Sequence, residues 1–62
     1  MPYFDRIFEC NTGQYIGVIY HSGGRSMALL DKSMIPTNIT GSGELESFCN
    51  VLSVKIVKEI EL

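Results

Sequence analysis

Residues 21–25 read His-Ser-Gly-Gly-Arg and hold the chain's one histidine. These types support two chemistries. A serine nucleophile needs a base within hydrogen-bond reach and a third group to orient that base. Neighbouring His21 and Ser22 on a turn direct their side chains apart, and the acid nearest across a hairpin is Asp31. A chain of 62 residues also encloses little volume for a substrate pocket. The second chemistry is anion binding. Successive N–H groups around paired glycines form a concave nest, and Arg25 adds a forked donor. The segment lacks the G-x-x-x-x-G-K-[ST] spacing of a phosphate loop. A third reading is structural: Gly23 and Gly24 supply the positive φ of a tight hairpin turn. That reading is adopted, with His21 and Arg25 as contact residues displayed at the tip, no catalytic residues and no enzyme activity.

Cys10, His21 and Cys49 are the soft metal ligands of the chain, and none forms a C-x-x-C pair. No metal and no cofactor are expected. The start, MPYFDRIFEC, has no basic stretch followed by an apolar run, and no window reaches the ~18 apolar residues of a membrane span. The expectation is a cytoplasmic chain with reduced thiols, both cysteines serving as small core residues.

Partners follow from size and charge. A single α+β domain over residues 1–62 buries only ~60% of its unfolded surface and is marginal alone. With disulfides and metal set aside, oligomerisation or a protein partner remains. Five Lys plus Arg against seven Asp plus Glu give a net charge of −2. The cations Arg6, Arg25, Lys32, Lys55 and Lys58 are scattered, unlike the basic footprint of a nucleic-acid binder.

The elements that position these residues come from periodicity. YFDRIFEC (3–10) and QYIGVIY (14–20) are β-favouring runs joined by NTGQ, a hairpin signal. Phe4, Phe8 and Cys10 share one parity, as do Ile16, Val18 and Tyr20. A third strand is expected over about 25–31, with a helix over 26–35 as the alternative, and 32–43 reads as a loop. Leu45, Phe48, Cys49 and Leu52 make an i, i+3, i+4, i+7 stripe, so 43–52 is a helix with Ser42 as its N-cap. The last segment, SVKIVKEIEL, is an amphipathic strand with Val54, Ile56, Ile60 and Leu62 on one face, interrupted by Lys58. The fold class is therefore α+β: a small, mostly antiparallel sheet of three to four strands (β-β-β-α-β) with one short helix on one face.

One helix covers one face. The other carries Tyr3, Ile7, Tyr15, Ile19 and Val57, with Gly17 leaving a notch among them. A cluster of this kind marks an interface, and tyrosine is enriched in interface cores. Cover by the 32–43 loop, through Met34, Ile35 and Ile39, is the alternative. A sheet edge offers a second route to a partner.

The function expected is a small protein-binding module, a regulator or inhibitor of a larger partner or a homodimer. Its contact residues are Tyr3, Ile7, Tyr15, Ile19, His21 and Arg25. The alternative is a single-stranded nucleic-acid-binding or anion-binding domain using the sheet aromatics and the 21–25 tip. A short chain without site machinery also suits an accessory protein of a virus or mobile element.

Overall fold

A computed structural model describes residues 3–61. Five strands and one helix follow in the order β1 (Arg6–Cys10), β2 (Tyr15–His21), β3 (Gly24–Leu30), β4 (Pro36–Ser42), α1 (Leu45–Leu52), β5 (Ile56–Ile60). The sheet order is β4-β3-β2-β1-β5, and every pairing is antiparallel. The first four strands form a meander. The α1 segment then carries the chain from one edge of the sheet to the other.

Local chemistry explains each turn. Gly13 takes φ +89 and donates its N–H to the Cys10 carbonyl at 3.0 Å, closing the first hairpin. In the second, His21 pairs with Gly24, so the loop is Ser22 and Gly23. Only Gly24 (φ +131) holds a positive φ there; Gly23 does not, contrary to the expectation for both. In the third, Asp31 Oδ1 accepts the N–H groups of Ser33 (2.8 Å) and Ile35 (3.0 Å). A carboxylate satisfying backbone donors two and four residues on is a turn former.

That third turn leads into a strand where a loop was expected, raising the count from three or four to five. PTNITGS has no apolar alternation because β4 is a mostly exposed edge strand. Its β-branched Thr37, Ile39 and Thr40 were the remaining sign. Pro36 stands at its first position, where a missing N–H is tolerated.

The core lies between the sheet and α1. Phe8, Cys10, Ile16, Val18, Met27 and Leu29 from the strands meet Phe48, Cys49 and Val54, with Leu45, Leu52 and Ile56 packed around them. Period-two strands and a 3.6-period stripe thus bury their apolar sides together. Phe48 lies on Gly41 of β4, where an added Cβ would come within 2.6 Å of its ring. The N-cap of the helix is Glu44 rather than the expected Ser42, which ends β4, and no side chain caps it. Ser53, at φ 59, ends it. Both cysteines are buried and free. Burial pushes both thiols up, so they stay protonated and unreactive.

Two parities differ from expectation. A register shift between Glu9 and Cys10 breaks the β1–β5 ladder. It sets Ile56 beside Cys10 on the helix side, but Lys58 beside Glu9 and Ile60 beside Ile7 on the opposite side. The apolar side expected for this strand is therefore divided between two faces, with Lys58 on the second; Leu62 lies outside the described residues. Phe4 also leaves its expected side. Residues 3–5 bend away before β1 begins, and Phe4 lies on Gly17, on the face away from α1.

Candidate interaction surface

Strand register lays out the second face row by row. One row runs Ile60–Ile7–Gly17–Ala28–Thr40 across all five strands. The next runs Lys58–Glu9–Tyr15–Leu30–Pro36, and Ile19–Ser26–Ser42 completes the other side. At the centre, the expected notch at Gly17 is filled. A Cβ on Gly17 would come within 2.5–2.8 Å of three Phe4 ring atoms. Glycine is required here because an aromatic ring lies on the backbone.

The sequence-derived contact residues separate accordingly. Ile7 is buried on this face at 6% exposure and is withdrawn as a contact residue. Tyr15 is half-buried, while Ile19 is exposed at 38%. Tyr3 precedes β1 and stands 83% exposed, outside the sheet rows. Val57 falls at the β5 irregularity and is exposed. His21 and Arg25 do reach the hairpin tip, but on opposite faces, since His21 pairs with Gly24 and Arg25 with Tyr20 in successive positions. The 32–43 segment does not cover the face: Met34, Ile35 and Ile39 are themselves exposed.

What stays open is a shallow groove of about 460 Å³ between Phe4 and the β4 edge. Phe4, Ile19, Ser26, Ala28, Thr40 and Ser42 line it, and no charged side chain does. It runs into a strand, β4, whose seven residues are also uncharged. The opposite edge is different. In β5, Lys58 reaches Glu9 at 3.8 Å and Glu59 binds Arg6.

At the tip, His21 Nε2 and Ser26 Oγ are hydrogen-bonded at 2.9 Å. The partner is Ser26 rather than the adjacent Ser22. Both groups are exposed, and no carboxylate bonds the other ring nitrogen among the described residues. A hollow of about 480 Å³ beside them is lined by His21, Gly23, Arg25, Ser42, Gly43 and Glu44. Glu44 puts negative charge where an anion would sit.

On the helix side of the same end, Arg6 grips Glu59 with Nε–Oε2 at 2.9 Å and Nη2–Oε1 at 2.5 Å. Its Nη1 donates to the Tyr20 hydroxyl at 3.3 Å, and Arg25 stacks 5.7 Å over the Tyr20 ring. The Arg6 hydrogen bond holds the Glu59 carboxyl below its ordinary 4.5 and raises Arg6 in turn. A carboxyl lowered by folding adds stability that is present above its unfolded pKa and lost as pH falls through its folded pKa. Glu59→Gln is therefore expected to flatten the loss of stability below about pH 4.5. Urea midpoints at a series of pH values check this; parallel wild-type and variant curves would rule it out.

No protein-family model matches the chain, and neither a curated protein nor a solved structure matches it. The candidate surface therefore stands on geometry. Sequence reasoning missed Phe4 and the β4 residues. Asp5 carries the signal for the first: its side chain accepts the Tyr20 N–H at 2.8 Å where the strand breaks.

Proposed function

We propose that this chain is a small non-enzymatic protein-binding module, working as a regulator or inhibitor of a larger partner or by self-association. The contact surface is the groove of Phe4, Ile19, Ala28 and Thr40 together with the β4 edge. One observation supports this reading most: an uncharged apolar groove is continuous with an uncharged edge strand. An edge offers backbone donors and acceptors to a strand from another chain, and adjoining apolar area adds affinity and register. Ile19 is the central side chain, and His21 lies at the rim.

Affinity capture from native-host lysate, comparing wild-type bait with Ile19→Ser, tests the reading. A protein enriched by the wild type and lost with the variant is the expected result. Equal capture by both baits contradicts it, as does capture by neither from a chain that is also a monomer.

A second reading, binding of single-stranded nucleic acid, draws on the Arg25–Tyr20 stack and the neighbouring Arg6. Here Arg6 is already held by Glu59, and the chain carries net negative charge. This reading expects salt-sensitive retention of short oligonucleotides; no retention at low salt removes it.

A further inference from the structure

We propose that two copies of this chain pair edge to edge through β4, antiparallel, into one continuous ten-stranded sheet. The proposal rests on the reading of the β4 side as the interface and names the occupant of that edge. A strand edge is completed by another strand, because only a strand matches its periodic N–H and C=O groups.

Charge favours the β4 edge over the β5 edge. In a two-fold antiparallel pair the central residue faces its own counterpart, so any charge there meets its like. In β5, registers centred on Lys58 or Glu59 set like charges together. A register centred on Val57 sets Lys55 against Glu59, which is already bound to Arg6. In β4 every register is free of charge.

Geometry narrows the register. The β3–β4 ladder is irregular between Ala28 and Leu30, and Thr37 Oγ1 donates to the Leu29 carbonyl at 2.8 Å while accepting the Ile39 N–H. The regular part of β4 is Thr40–Ser42, paired with Ala28, Met27 and Ser26. A register centred on Thr40 uses it, setting threonine against threonine, Ile39 against Gly41 and Asn38 against Ser42. Cross-strand threonine pairs are favourable. The two grooves, each reaching Thr40, then adjoin across the new pair and form one uncharged strip.

Sedimentation equilibrium of the purified chain over a dilution series tests the proposal. The expected mass at high concentration is twice 6.9 kDa. Thr40→Lys, an exposed position, sets two like charges directly opposite and is expected to weaken the dimer by on the order of tenfold or more. Val57→Lys, on β5, is expected to leave it unchanged. Urea midpoints near the wild-type value confirm that both variants fold. Amide exchange adds a direct readout: the 38–41 amides slow as concentration rises. A monomer mass at every concentration overturns the proposal, as does a dimer lost with Val57→Lys and kept with Thr40→Lys. A monomer that still captures a protein through Ile19 overturns the self-pairing and leaves the binding reading standing.

Discussion

Phe48→Ala is expected to abolish the cooperative unfolding transition at room temperature. Phe48 is buried at 8% exposure and forms the contact between α1 and Gly41 of β4. Truncating a buried phenylalanine costs about 3–5 kcal/mol. A core in a domain this small supplies about the same amount in total. The helix cannot compensate: it has eight residues and no side-chain N-cap bond, and so short a helix does not persist without packing. Circular dichroism during heating checks the expectation. A cooperative transition near the wild-type temperature would show that Phe48 does not hold the helix to the sheet. Phe48→Leu, which keeps most of the apolar volume, is expected to retain a lowered but cooperative transition.

The second large effect concerns Gly17→Val. Valine is favourable in a strand, by up to about 1 kcal/mol. Here its Cβ would overlap the Phe4 ring at 2.5 Å, so the ring must leave the face. Phe4 is half-buried, so losing its packing costs about half of what a fully buried phenylalanine would, roughly 0.8–1.5 kcal/mol. The lost packing outweighs the strand preference by a small margin, and the variant is expected to be less stable by up to about 1 kcal/mol. The sign should reverse in a Phe4→Ala background. There nothing opposes the Cβ, and the strand preference of valine remains. Urea denaturation of the two single variants and the double variant measures this coupling. Additive costs would mean that Phe4 does not occupy the notch.

These two sites also show how far the residues alone carry the fold. The Leu45–Phe48–Cys49–Leu52 stripe located α1, since its 3.6 period has no competing reading over that window. The β2 alternation located the core side of the sheet through Ile16 and Val18, now among the most buried residues. The β4 strand was illegible because an exposed edge strand needs no apolar alternation. The division of β5 between faces was illegible for another reason: a register shift belongs to the pairing of two strands and leaves no mark in either one. Phe4 combined both problems, as its alternation continues that of Phe8 while the backbone turns away two residues before the strand.

The candidate surface was partly legible. Ile19 stayed exposed beside a glycine-centred face, and His21 stayed at the rim. Tyr3 and Ile7 diverged, one outside the sheet and one buried within it. Edge strand β4 could not be weighed before it was known to be a strand. With it in place, the emphasis moves from the tyrosines to Ile19, Ala28 and Thr40.

Amide hydrogen exchange tests the central claim most directly, measured on the chain alone at low concentration and on the chain either concentrated or recovered with any protein it captures. Pairing through the β4 side predicts slowed exchange in residues 37–42 and in the neighbouring Ser26–Ala28 stretch, with α1 and β5 unchanged. Slowing confined to α1 and β5, or no difference between the two preparations, would contradict it.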